Sequence, residues 1–167
     1  ERLSFDELLT LQLKSLYRKE EWKENEAFHQ LTIGKEVLAK FINSLPFKLT
    51  QSQEIAISEI LTDLGNVTPM NRLLEGDVGS GKTVVAAASA FAAFVNGFQT
   101  VIMAPTQILA QQHFETLRKI FDIFKVRVSL ITSAGITADL GKTDIFVGTH
   151  ALIHKKVNFE NVALVVI

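Results

Sequence analysis

The sequence contains no cysteine, only three prolines and a single tryptophan, and its formal charges almost cancel. Without cysteine, a disulfide framework, a cysteine nucleophile and a cysteine-ligated metal site are all excluded. No apolar run approaches the roughly 18 to 20 residues of a membrane-spanning helix, and the first residues are not the basic start of a secretory signal. We therefore expect a soluble protein, and the lack of cysteine is compatible with a cytoplasmic location.

The net charge of −1 also lacks the excess of Lys and Arg that marks a dedicated nucleic-acid-binding module, so charge alone does not suggest DNA. What the sequence does have is apolar material, because 47% of its 167 residues are hydrophobic. This length and composition predict one domain with a substantial core. The chain ends in an apolar run, 162–167, that is typical of a buried parallel strand, and we expect it to be a fragment of a larger protein.

Helices are predicted before residue 65. Ser4 and Glu7 have capping-box spacing, and the leucines that follow recur with helical periodicity, so one helix face should pack on a partner. The charged run 18–26, which includes Trp22, is most simply a solvated continuation. A second helix is predicted at about 34–43, and a third starts at Thr50 with Gln53 completing its capping box.

Strands and helices alternate after that point. Strands are predicted at 72–75, 100–104, 126–131, 144–148 and 162–167, with helices from Lys82 and from about Thr106. Repeated β-α-β units imply a mainly parallel sheet with helices on both faces, the α/β three-layer architecture. Ligands of such sheets bind beyond the carboxyl ends of the strands.

The most informative motif is Gly-x-x-x-x-Gly-Lys-Thr at residues 76–83, placed between a predicted strand and a predicted helix. Its glycines allow the backbone to wrap around a phosphate, its lysine reaches the β- and γ-phosphates, and its threonine hydroxyl ligates Mg²⁺. The motif predicts binding of a nucleoside triphosphate with Mg²⁺. The predicted site consists of Gly76, Asp77, Val78, Gly79, Ser80, Gly81, Lys82 and Thr83, with Lys82 and Thr83 as catalytic residues and Thr83 as the metal ligand.

Two residues upstream of this loop are candidates for binding the base. The side-chain amide of Gln53 carries both a donor and an acceptor, as adenine recognition requires, and Phe47 could pack near the base. Alternatively, Gln53 only closes the capping box with Thr50. The sequence leaves both interpretations open.

Polar residues follow the predicted strands at 100–104 and 144–148, on the same edge of the sheet as the loop. Thr106, Gln112, Thr149 and His150 could bind a nucleic-acid backbone without reading its sequence. Capping of helices by Thr106 and Thr149 is the simpler interpretation. His150 and His154 have i, i+4 spacing, but no glutamate follows His150 and no third ligand is evident, so Mg²⁺ with the nucleotide is the only metal we expect.

Four segments in order resemble one family, the RecG-type ATP-dependent DNA helicases of superfamily 2. Residues 45–53 are similar to the segment ahead of helicase motif I, 69–83 to motif I, 103–113 to motif Ia and 147–153 to motif Ib. The resemblance implies a RecA-like phosphate-loop NTPase domain at 45–167, preceded by a helical linker at 1–44 that joins a DNA-binding wedge domain to the motor. It implies an ATP-driven enzyme that remodels stalled forks and Holliday junctions in recombination and repair.

The same resemblance implies parts that the sequence does not contain. The Asp-Glu-x-His motif, expected directly after Ile167, and the second RecA-like lobe are missing, so we expect this chain to bind nucleotide without hydrolysing it alone. The link at 133–143 is also shorter than the family pattern. Three alternatives stay open: a motor like the transcription-repair coupling factor, a phosphate-loop kinase, and a non-catalytic nucleotide-binding module. Ser80 and residues 151–153 differ from the pattern of the transcription-repair coupling factor and favour the RecG type.

Overall fold

The computed structural model describes residues 2–24, 27, 29–137, 142–154 and 159–167. Its helices are α1 (Arg2–Glu24), α2 (Lys35–Ser44), α3 (Gln51–Leu64), α4 (Lys82–Val95), α5 (Gln107–Phe121) and α6 (Ala151–His154), and one 3-10 turn covers Asp122–Phe124. Its strands are β1 (Gln99–Met103), β2 (Val128–Thr132), β3 (Gly135–Ile136), β4 (Ile145–Gly148) and β5 (Val162–Val166). None of the helices in these described ranges has the length and hydropathy of a membrane span.

Helix α1 begins at Arg2, so Ser4 lies inside the helix and the capping box predicted for Ser4 and Glu7 is wrong. The apolar side chains of the helix are not covered. Every side chain described from Phe5 to Trp22 is exposed, including the leucines that were expected to pack. The helix is fixed to the rest of the chain through Trp22, whose Nε1 donates to the carbonyl oxygen of Pro69 at 2.8 Å. Trp22 thus anchors α1 although 44% of the residue is still exposed. Residues 25 and 26 of the charged run lie outside the described residues.

The two short helices form a platform for α4. In α2, Phe41 is fully buried and its ring stacks on Phe91 of α4 with centroids 4.8 Å apart. In α3, the predicted capping box is confirmed, with Thr50 as the N-cap residue. Ile57, Ile60 and Leu64 form the buried face of that helix, as the periodicity predicts.

Helix α4 is buried over most of its circumference, in keeping with its alanine-rich sequence. Small side chains let neighbouring helices and the sheet approach closely, and Ala87, Ala88, Ala90, Ala92 and Ala93 are all fully buried. The helix ends at Asn96 and Gly97, where Gly97 adopts a φ of 80°. Burial of this helix fixes the position of the loop that precedes it.

The sheet has the strand order β3-β2-β4-β1-β5. β1, β2, β4 and β5 run parallel, and β3 pairs antiparallel with β2, so the predicted mainly parallel sheet is confirmed. One face packs on α4 and α5, with α2 and α3 packed in turn on α4, and this side carries most of the core. The other face carries a smaller cluster of Val101, Ile131, Phe146 and, from α6, Leu152.

The strand predicted at 72–75 is wrong. Residues 71–77 have no regular secondary structure, and Leu73 is 80% exposed. Met70, Leu73 and Leu74 line the same cavity as β5, so the segment runs beside the sheet without a ladder of backbone hydrogen bonds among the described residues. An apolar extended segment becomes a strand only where such a ladder forms. In the link at 133–143, residues 135–136 form β3, and residues 138–141 lie outside the described residues.

Candidate nucleotide site

The loop at 76–81 leads directly into α4. Gly79 and Gly81 adopt φ values of 82° and 81°, a left-handed conformation that costs a residue with a Cβ about 1–2 kcal/mol. Gly81 has a second reason to be glycine, because a Cβ there would collide with Nε2 of Gln53. The Ser80 N–H donates to the Asp77 carbonyl oxygen at 3.1 Å, which closes the turn. The sequence pattern therefore produces a tight bend at a helix N-terminus.

The N-terminus of α4 differs from those of α3 and α5. Thr50 and Thr106 cap those helices, each accepting a hydrogen bond on its side-chain oxygen from a backbone N–H at 3.3 Å. The N-cap residue of α4 is Gly81, which has no side chain to do this. The first N–H groups of a helix have no acceptor within the helix, and the dipole makes this end positive. An anionic group such as phosphate is a suitable acceptor here.

Lys82 supplies a full positive charge to the same place. Its Nζ donates to the carbonyl oxygens of Gly76 at 2.7 Å and Asp77 at 2.9 Å, so the ammonium group is held against the loop. Thr83 is partly buried and lines a cavity of about 390 Å³ together with Lys82 and His113. The structure thus brings the two predicted catalytic residues to one side of the loop.

Gln53 contacts this loop, which the sequence did not predict. Its Oε1 accepts from the Thr50 N–H at 2.9 Å as part of the capping box, and its Nε2 donates to the Ser80 carbonyl oxygen at 2.9 Å. A glutamine amide has two acceptor sites and two donor hydrogens, so one of each is left for a ligand. Capping is confirmed, and adenine binding stays a prediction. Phe47 is exposed shortly before α3, and its role beside the base also stays a prediction.

Arg72 is a second residue that sequence reasoning missed. Its Nε donates to Asp63 Oδ2 at 2.6 Å and its Nη1 donates to Glu59 Oε2 at 2.7 Å. The hydrogen bond to Asp63 is the main reason why the pKa of Arg72 is raised above its ordinary value. A signal was present in the sequence, since Glu59 and Asp63 are spaced i, i+4 on α3 and lie on one helix face.

The candidate DNA-binding residues lie after two neighbouring strands. β1 and β4 pair in parallel with Met103 opposite Gly148, so Thr106 and Thr149 follow strand ends at the same edge of the sheet. Thr106 caps α5, and the carbonyl oxygen of Thr149 accepts from the Leu152 N–H at 2.9 Å. His150 is exposed.

Gln112, further along α5, is also exposed. Gly148 permits the close approach of the neighbouring strand β2 and of α6 at this edge, because a Cβ there would collide with the carbonyl oxygen of Ile131 and with Leu152. Among the residues that the structure describes, no group of three or more His, Cys, Asp or Glu side chains is arranged to hold a metal ion.

Comparison with known proteins identifies the family. The model of the DEAD/DEAH box helicase family matches residues 50–167, which is most of the chain. The chain belongs to the DEAD/DEAH box helicase family. The small-molecule kinase alternative does not account for this match.

Within the helicase family, the chain is similar to RecG. It is 45% identical to the ATP-dependent DNA helicase RecG of Synechocystis and 42% identical to that of Aquifex aeolicus, over 99% of this chain in both cases. Of the solved structures, RecG bound to a three-way DNA junction superposes with a TM-score of 0.85 at 41% identity, covering 99% of this chain and 24% of that one. The predicted resemblance and the RecA-like fold are confirmed.

The helicase chain spans only 21% of the Synechocystis protein and 22% of the Aquifex protein. The division at residues 44 and 45 into linker and motor domain therefore stays a prediction, although the family match begins close to it, at residue 50. The roles of the individual site residues stay predictions as well, including those of Thr106, Gln112, Thr149 and His150 toward DNA.

Proposed function

We propose that this chain is the nucleotide-binding part of an ATP-dependent DNA helicase that remodels branched DNA in recombination and repair. The observation that carries the proposal is the N-terminus of α4, where Gly81 is the N-cap residue and Lys82 holds its ammonium group against the loop. It occurs in a chain that is similar to RecG over 99% of its length. The RecG of the solved structure is bound to a three-way DNA junction, which supports branched DNA as the partner.

In this proposal, the loop binds the triphosphate of ATP. Gly79 and Gly81 let the backbone N–H groups point toward the phosphates, and the α4 dipole favours their negative charge. Lys82 exchanges its two loop carbonyl contacts for the β- and γ-phosphates, where charge develops during hydrolysis. Gln53 and Phe47 bind adenine at the N-terminal end of α3.

The residues present also fit Mg²⁺. Thr83 offers a hydroxyl oxygen, the hard type of ligand that Mg²⁺ prefers, next to the lysine that binds phosphate. Mg²⁺ held there would supply positive charge that offsets the negative charge developing on the phosphates. The second RecA-like lobe and the wedge domain of the parent protein are proposed partners of this chain, and a cytoplasmic location is proposed for the parent.

The test is steady-state ATP hydrolysis by the full-length protein without DNA, with linear duplex and with a forked junction. All three reactions are run at the same salt concentration, because binding to the phosphate backbone depends on salt. Stimulation that is greatest with the fork supports the proposal. Equal rates in the three reactions would contradict a DNA-dependent motor.

A further inference from the structure

Arg72 holds two turns of α3 against the segment that leads into the phosphate loop. One guanidinium group reaches both Asp63 and Glu59, which lie one helical turn apart. These two carboxylates repel each other at i, i+4 spacing, and the arginine between them offsets that repulsion. The planar fork of an arginine suits this double contact, whereas a lysine ammonium is a point charge without a fixed fork geometry.

Helix α3 therefore contacts the loop region at two separate places. At its N-terminal end, Gln53 donates to the Ser80 carbonyl oxygen, and in its second half Glu59 and Asp63 accept from Arg72. With a rise of 1.5 Å per residue, these contacts lie about 9 to 15 Å apart along the helix axis. The buried side chains Ile57, Ile60 and Leu64 already fix α3 on the core. The Arg72 contact ties the segment that leads into the loop to this fixed helix, and so helps to set the position of the loop relative to Gln53.

The contact contributes little to global stability. The Arg72 side chain is 34% exposed and its partners are 54% and 31% exposed. Ion pairs between side chains this exposed to solvent typically add little to the free energy of unfolding. Its main effect should be on geometry near the loop.

We propose that Arg72 is a positioning residue that sets the affinity and the base preference of the nucleotide site by holding α3, and through it Gln53, in register with the phosphate loop. The inference rests on the proposed function, since it assigns the adenine contact to Gln53. Arg72 acts through α3 and needs no contact of its own with the nucleotide.

The experiment measures KM and kcat for ATP and for GTP with the full-length protein and its Arg72→Ala variant, in the presence of forked DNA. We expect KM for ATP to rise about fivefold with kcat within about twofold of wild type, because ground-state positioning is lost. The preference for ATP over GTP should fall by a similar factor. Arg72→Lys should recover part of both, since the charge remains but the fork is lost.

Arg127→Ala is the matched control. Arg127 donates to Asp144 at 2.8 and 2.9 Å in an ion pair that joins the residues directly before β2 and β4. Both alanine variants should lower the melting temperature by a similar small amount, and only Arg72→Ala should change KM. If Arg72→Ala fails to fold, a double variant replaces it. Glu59→Gln combined with Asp63→Asn keeps Arg72 but neutralises both of its partners, and it should raise KM as expected for Arg72→Ala.

A double-mutant cycle decides whether Arg72 acts through Gln53. In a Gln53→Ala background, Arg72→Ala should leave KM and the base preference unchanged, because the group that it positions is gone. The inference is overturned if the wild-type enzyme prefers ATP and the Arg72→Ala variant keeps the wild-type KM and preference. It is also overturned if the effects of Arg72→Ala and Gln53→Ala on KM are fully additive. If the wild-type enzyme hydrolyses no ATP with forked DNA, the proposed function itself has failed.

Discussion

The Nε2 atom of Gln53 donates a hydrogen bond to the carbonyl oxygen of Ser80 at 2.9 Å, which joins the start of α3 to the phosphate loop. The same side chain closes the capping box with Thr50. A residue that stabilises its own helix thus also fixes a loop 27 positions further along the chain. Gln53 therefore has two roles, capping α3 and contacting the loop, and different substitutions can test each role by itself.

Substitutions at Gln53 should divide helix capping from nucleotide binding. Gln53→Glu keeps an acceptor for the Thr50 N–H, as capping boxes commonly do, but a carboxylate cannot donate to the Ser80 carbonyl oxygen. We expect Gln53→Glu to keep a near-native melting temperature and to weaken ATP binding, measured by calorimetry. Gln53→Ala should lower the melting temperature and also weaken ATP binding, with about 0.5–1.5 kcal/mol lost from the free energy of unfolding. Equal ATP affinity in wild type and Gln53→Glu would contradict a role for the Ser80 contact.

Lys82→Ala should abolish ATP hydrolysis by the full-length protein. The substitution removes the positive charge proposed to stabilise the transferring phosphoryl group, and losses of this kind typically reduce kcat by about 100- to 1000-fold. The fold should survive, because the partners of Lys82 are two loop carbonyl oxygens and not core groups. The check is steady-state hydrolysis beside a thermal melt. Normal turnover in Lys82→Ala would show that the loop is wrongly assigned.

Gly81→Ala should be more damaging than Gly97→Ala, although both glycines have nearly the same φ. At Gly97, a new Cβ meets open space, so the cost is the left-handed conformation alone, about 1–2 kcal/mol. At Gly81, it also displaces Nε2 of Gln53, the end of a flexible side chain, and so breaks the hydrogen bond of that atom to the Ser80 carbonyl oxygen. Chemical denaturation measures both variants. Because both substitutions remove the same Gln53 contact, Gly81→Ala and Gln53→Ala together should cost less than the sum of the two single substitutions. No difference between the two glycine variants would contradict the close packing of Gln53 on the loop.

Features of the fold and of the site could be predicted from the sequence where residues close together in the chain determine them. The capping box of α3 and the Lys82 start of α4 were found because spacing within a few residues determines them. The segment at 72–75 does not form the predicted strand, because Leu73 and Leu74 directly before the loop are a local signal, whereas strand formation depends on a partner elsewhere in the chain. The contacts of Arg72 with α3 and of Gln53 with Ser80 were missed for the same reason, since both join residues distant in sequence.

Trp22→Phe should release the C-terminal end of α1 from the rest of the chain. The substitution keeps an aromatic ring but removes the N–H that donates to the Pro69 carbonyl oxygen. We expect faster amide hydrogen exchange in the last turns of α1, with little change in α4. Tyr17→Phe, at an exposed position on the same helix, is the control and should leave exchange as in the wild type. Unchanged protection in Trp22→Phe would show that this hydrogen bond does not hold the helix.

Gln112→Ala should reduce the stimulation of ATP hydrolysis by DNA more than it reduces the rate without DNA. Gln112 is exposed and lies beyond the N-cap of α5, so its removal leaves the capping by Thr106 intact. Thr106→Ser, which keeps an oxygen able to cap the helix, is the companion variant and should preserve stability. Titration of hydrolysis against forked DNA measures the effect. A loss confined to the DNA-free rate would count against a DNA contact here.

The most direct test of the central claim is strand displacement from a synthetic three-way DNA junction by the full-length protein, with ATP, in wild type and Lys82→Ala. The account predicts that the wild-type protein remodels the junction only when ATP is present and that Lys82→Ala leaves the junction intact while still binding it. Remodelling by Lys82→Ala at the wild-type rate, or by the wild type without nucleotide, would contradict an ATP-driven motor built on this loop.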